Sequence, residues 1–83
     1  LFERAGLREA DFAGADLRKA KLAGSDLEQA LLEDTDLSAA SLRFANLHAA
    51  VLDGAKLPGT DMWGAKAGGA VFARADLRGA VLE

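Results

Sequence analysis

Large apolar residues recur at every fifth position along the chain, from Phe2, Leu7 and Phe12 through Leu77 and Leu82. Sixteen of these seventeen centres are large; Ala67 is the exception. Two residues before each centre from Leu7 onward sits a small residue, thirteen times Ala and otherwise Ser25, Thr35 or Thr60. No insertion or deletion interrupts the register. A period of five fits neither ordinary element. A helix turns about 100° per residue, so residues five apart would spread around its cylinder. A flat strand alternates with period two and would send successive centres to opposite faces. The Ala and Leu content favours helix by propensity, but the spacing opposes it. Within one unit, the small residue and the centre are two apart, so a short extended segment points both inward. The chain must then bend, and seven of the nine glycines lie two residues after a centre, where a glycine tolerates the turn. An inward pair plus a corner, repeated, predicts a coil around an apolar axis.

Ala10-Asp11-Phe12, Ala15-Asp16-Leu17, Ala45-Asn46-Leu47 and Ala75-Asp76-Leu77 follow the order Ala, Asp or Asn, Leu or Phe, then two variable residues. In this the chain resembles the pentapeptide-repeat family over essentially its whole length. The resemblance implies an all-β fold, a right-handed quadrilateral parallel β-helix (a solenoid) of about four coils with four pentapeptides each, roughly 20 Å long at the spacing of paired strands. Residues 1–83 are expected to form a single solenoid, a fragment or domain of a longer chain, since the chain opens on Leu1-Phe2-Glu3 without an initiator Met.

With twenty residues per coil, residue n lies over n+20. One core column then holds Phe2, Leu22, Leu42, Met62 and Leu82, the next Leu7, Leu27, Leu47 and Ala67, the third Phe12, Leu32, Leu52 and Phe72, and the last Leu17, Leu37, Leu57 and Leu77. Ala67-Gly68-Gly69 is the weakest unit. A cavity, a bulge or filling by Met62 is expected there, whether as drift in one repeat or as a docking notch. Outward charges stack as well: Asp36, Lys56 and Asp76 alternate in sign, Arg8 lies under Glu28, and Asp16 faces the like-charged Asp36. Such surface pairs contribute a few tenths of a kcal/mol.

Composition narrows the chemistry. Hydrophobic residues make up 51% and charged residues 28%, which excludes a disordered tail, and no apolar run reaches the roughly 18 residues of a bilayer span. A net charge of −3 does not suit a basic nucleic-acid-binding surface. Without Cys, and with His48 as the single histidine, neither a zinc site nor a Cys/His pair can form. Ser25 falls in the inward column, where its hydroxyl is expected to bond backbone. Glu33, Asp34 and Asp53 form the densest acidic group, a solvated face or a weak cation site. The glycine-rich stretch 64–69 has no following helix to make a phosphate loop, and a narrow filled coil has no pocket of enzyme size. The expectation is a protein that is not an enzyme and needs no cofactor.

Candidate interaction residues stand out instead. Phe44 and Trp63 are the aromatics off the core register, and the columns place them side by side, as partner anchors or under a covering segment. Leu31, Val51 and Val71 form an outward apolar strip beside Glu33, Asp34 and Asp53; this suits partner docking or reflects the preference of strands for β-branched residues. Exposed strand ends make end-to-end self-association an expectation. The function expected is a non-enzymatic protein-interaction or structural scaffold module, with protein partners, no direct nucleic-acid contact, no membrane and a cytoplasmic location. The resemblance implies two alternatives: a DNA-mimicking protein that binds DNA gyrase, and a repeat domain of a secreted bacterial effector or its loading factor. Mimicry of duplex DNA needs a strongly negative surface. Here residues 1–36 hold nine acids against five bases, and residues 37–83 four against five.

Overall fold

Every pentapeptide bends at the same place. The carbonyl of a centre accepts the N–H three residues on, as from Ala30 to Leu27 (3.0 Å) and Ala55 to Leu52 (2.9 Å). The residue two past the centre takes a positive φ, between 57° and 74°, in every unit from Glu9 to Gly79. One positive φ at the third position with this hydrogen bond is the signature of a type II turn. Seven of these positions are glycine, and eight are not, so the fold imposes the left-handed conformation on side chains that resist it. The computed structural model describes residues 6–82, with side chains through residue 80. Of the expected centres, Phe2 and the side chain of Leu82 lie outside the described residues.

Successive turns bring residues twenty apart into parallel register. Asp11 bridges Leu31, Leu31 bridges Val51 and Val51 bridges Val71, and the ladders of Asp16, Lys21 and Asp26 run the same way. Four turns lie between one rung and the next, as the twenty-residue columns require. The extended segments are short, as a five-residue unit with its own corner requires. Only Asp61–Met62 and Val81–Leu82 pair over two residues, and the other pairings among the described residues are single bridges. The corners consume the residues that a longer strand would need.

The backbone of one unit, Asn46 to Ala50, shows how such a turn-rich chain satisfies its amides. The Asn46 N–H donates to the Ser25 carbonyl below (2.9 Å), and those of Leu47 and Ala49 donate to Lys66 and Gly68 above (2.6 and 2.9 Å). The Ala50 N–H closes the turn on Leu47 (3.0 Å). The fifth, of His48, donates to the side-chain oxygen of Asn46 (3.1 Å). Asp11, Asp16, Asp26, Asp36, Asp61 and Asp76 hold the equivalent amide in their own units. An Asp or Asn before the centre is thus a turn clasp. Lys56 stands where that clasp would be, but the residue it would serve is Pro58, which has no N–H, and Pro-Gly is the preferred pair for this turn.

The inward side chains stack as columns. Leu22, Leu27, Leu32, Leu37, Leu42, Leu47, Leu52, Leu57 and Met62 are buried, with Ala30 to Ala55 packed between them. Leu7, Phe12 and Leu17 at one end, and Phe72 and Leu77 at the other, are half-buried against this core. The Ser25 hydroxyl donates to the Leu22 carbonyl (2.7 Å), as expected, and Thr35 does the same to Leu32 (2.8 Å). Thr60 instead reaches across to the Leu37 carbonyl (2.6 Å). The unit at Ala67 keeps its turn, with the Ala70 N–H on the Ala67 carbonyl at 3.0 Å and Gly69 at φ 73°. The bulge allowed for there is absent. Ala67 itself is exposed, and the ring of His48 lies under Gly68. The molecule measures 26 × 23 × 19 Å, about as broad as it is tall, so it is a block rather than a rod.

Candidate functional site

Phe44 and Trp63 meet where the columns place them. Phe44 sits two past Leu42 with φ 60°, the conformation that seven other units give to glycine. Trp63 sits one past Met62 on the next level. Their rings meet edge to face with centroids 5.2 Å apart and planes at 89°, a favourable arrangement for aromatic quadrupoles. Phe44 is 58% exposed and Trp63 39%. Gly64 lies over Phe44, and a Cβ there would come within 2.6 Å of the ring, so the aromatic pair depends on that glycine.

Two residues that the sequence reading passed over complete this corner. The Arg43 guanidinium lies over both rings, 5.2 Å from the Trp63 centroid and 5.9 Å from that of Phe44, a cation–π geometry. It also donates to Asp61 (3.3 Å), whose other oxygen accepts the Trp63 backbone N–H (3.1 Å). Asp61 therefore fixes the guanidinium and the turn that carries the indole. The signal was present: Arg43 and Trp63 are twenty residues apart, and the column rule stacks them.

The second candidate group lies on another ladder. Leu31, Val51 and Val71 bridge in succession, and Leu31 and Val71 are 37% and 45% exposed. Glu33, Asp34 and Asp53 occupy the turns that follow. The Asp34 carboxylate rises against Gly54, into the space a Cβ would fill. Asp53 takes a two-pronged contact from Arg74 (3.2 and 2.9 Å). This holds the Asp53 carboxyl below its ordinary range, and the hydrogen bonds to Asp53, followed by the charges of Asp53 and Asp34, raise the pKa of Arg74. Part of the acidic group is thus neutralised by a side chain one level up, twenty-one residues from Asp53. Among the described residues no cluster of His, Asp or Glu is arranged to hold a metal ion.

Charge elsewhere is paired locally. Arg18 forks onto Asp16 (2.9 and 2.7 Å) and Arg78 onto Asp76 in the same geometry (2.9 and 2.7 Å). These bonds lower the carboxyls of Asp16 and Asp76 to about 2. Hydrogen bonds from Ser38 lower that of Asp36. The like-charged rung of Asp16 and Asp36 is relieved by Arg18, whose charge acts on both. Arg8 pairs with Glu28 at 3.4 Å. His48 is exposed. A hollow of about 440 Å³ is lined by Asp16, Arg18 and Lys19, all exposed, and contains no buried polar group to orient a ligand. No helix among the described residues is long and apolar enough to cross a membrane.

The family model for Pentapeptide repeats matches residues 1–34, 31–66 and 59–83, in eight copies. Among solved structures, the chain is similar to alr5209, a pentapeptide repeat protein of Nostoc, at 38% identity and a TM-score of 0.52, over 88% of this chain and 64% of that one. It is also similar to Rfr23, from the cyanobacterium Cyanothece, at 32% identity and a TM-score of 0.51, over 96% of this chain and 58% of that one. The chain therefore spans less than two thirds of either relative. No curated protein matches it.

Proposed function

As this chain belongs to the pentapeptide-repeat family, we propose that it is a non-enzymatic protein-interaction scaffold, a single right-handed, four-sided solenoid of about four coils. Its corner at Arg43, Phe44 and Trp63 docks a partner protein. The observation that carries this reading is the solvent-facing cluster of Phe44, Trp63 and Arg43. A bulky aromatic at φ 60° is a conformation of the kind that costs about 1–2 kcal/mol. Its ring gains little burial in return, since it remains largely exposed. The left-handed backbone is common to every described unit, but here it displays a large ring to solvent against an indole and a guanidinium. Aromatics and Arg are the side chains that most often dominate binding interfaces. Here Asp61 and the stacked rings hold Arg43 in place, which lowers the ordering cost on association.

Paired capture with wild-type protein and a Phe44→Ala/Trp63→Ala variant tests this, followed by titration with the purified partner. The expected result is a partner retained by wild type and lost by the variant, with an unchanged melting midpoint. Trp63 is the only tryptophan, so its emission should shift on titration. A partner that binds both proteins equally, without moving the Trp63 emission, would overturn the reading.

A further inference from the structure

The outward ladders differ in one respect. Those through Asp26, Asp36 and Ser41 carry polar side chains at nearly every level, whereas the fourth changes from Asp11 to Leu31, Val51 and Val71. An Asp or Asn at any of those three positions would clasp its own turn, as Asp11 does for the Ala13 N–H. The apolar residues forgo that bond at three stacked levels. Ala49 and Gly69 flank the strip's two upper levels on one side, and Glu33, Asp53 and Ala73 border it on the other. The backbone beneath is committed: the Leu31 and Val51 N–H groups donate to the level below, and their carbonyls accept from Phe12 and Leu32. A partner strand therefore finds no free edge.

Spacing and charge indicate what does fit. Bridged residues are about 4.8 Å apart, so Leu31 to Val71 spans about 10 Å. An apolar stripe at i, i+4 and i+7 of a helix spans about 10.5 Å. At the Leu31 end lie Asp11, Glu33 and Asp34, and among the described residues Asp11 and Glu33 have no ion-pair partner. Arg74 is engaged by Asp53. We infer that this ladder docks an amphipathic helix of a partner protein, its aliphatic stripe along Leu31, Val51 and Val71 and its lysines or arginines toward Asp11, Glu33 and Asp34. The Asp26 ladder separates this strip from the aromatic corner, so the inference does not rest on the corner's role, and both surfaces can be engaged together.

The test uses the whole chain and three synthetic helical peptides. One has Leu at i, i+4 and i+7 with Lys elsewhere; the second replaces Lys by Glu; the third scrambles the Leu positions. Methyl NMR should show the Leu–Lys peptide shifting Leu31, Val51 and Val71 saturably, with affinity falling as salt rises. Val51→Thr/Val71→Thr, which keeps the β-branched shape, should weaken binding about tenfold without moving the melting midpoint. Glu33→Gln/Asp34→Asn should weaken it and flatten the salt dependence. Equal binding by the Glu or scrambled peptide, wild-type affinity in the Thr variant, or shifts confined to Phe44 and Trp63 would each overturn the inference. Shifts of the same methyls on concentrating the protein alone would also overturn it, by assigning the strip to a second copy.

Discussion

At the scale of the residue, the turn position two past each centre decides most. It demands a positive φ whatever residue stands there, and the Phe44 ring occupies the room that Gly64 leaves above it. Gly64→Ala should lower stability by about 1 kcal/mol through the left-handed backbone alone. It should also displace the Phe44 ring, so that the near-UV circular dichroism of Trp63 loses the contribution of the stacked pair. A near-UV spectrum identical to wild type would show that the ring contact does not depend on this glycine. Core positions follow the usual rule for buried aliphatics. Leu42 is fully buried in the central levels, and Leu42→Ala should cost about 2–5 kcal/mol, read from the denaturant midpoint. The columns through Leu42 and the pairing of Phe44 with Trp63 were legible in the sequence, because period five is visible in side-chain type and the family resemblance implies twenty residues per coil. The eight non-glycine left-handed turns were not, since nothing in the side chains of Glu9 or Lys19 announces their φ.

At the scale of the element, each described unit is a type II turn, seven of them are clasped by their own Asp or Asn, and at Asp16 and Asp76 the clasp also binds an arginine. Their carboxyls titrate at about 2 in the folded protein, below the ordinary value near 3.9 of an unfolded chain. A depressed folded pKa contributes stability above the unfolded value, and that contribution is lost as pH falls through the folded one. The melting midpoint should therefore be flat above about pH 5 and decline between about pH 4 and pH 2. The decline should be smaller in an Arg18→Gln/Arg78→Gln variant, because the hydrogen bonds from these arginines are the largest cause of the shift. Both pairs are exposed, so high salt should reduce the difference between variant and wild type. A variant with the full acid transition at low salt would assign it to other carboxylates, such as Asp36 and Asp53.

At the scale of the whole molecule, the twenty-residue period separates what folds from what is displayed. Each level contacts the level above and below, the nearest-neighbour logic of repeat arrays. Removing residues 45–49 keeps the five-residue register, since Phe44 is then followed by Ala50 and Val51 in their proper roles. Such a deletion should still unfold cooperatively. It moves everything after it by one side of the coil, so Trp63 leaves Phe44 and Arg43, and the near-UV signal of the stacked pair should vanish. Deleting Ala49 alone should be far more damaging, because it breaks the register and turns inward residues outward. A five-residue deletion that retained the Phe44–Trp63 signal would contradict the twenty-residue ladder.

The amino-acid sequence by itself determined the five-residue register, which side chains point inward and where the chain bends; that residues twenty apart stack was implied by the family resemblance and is seen in the bridges. It could set the register because burial imposes a strict period and this chain never breaks it. Only the tertiary structure decided how the surface is wired. Arg43 over two rings, Arg74 on Asp53 and Thr60 on the Leu37 carbonyl depend on where long side chains and hydroxyls reach between levels. Those directions follow from local packing and charge, for which the repeat has no symbol.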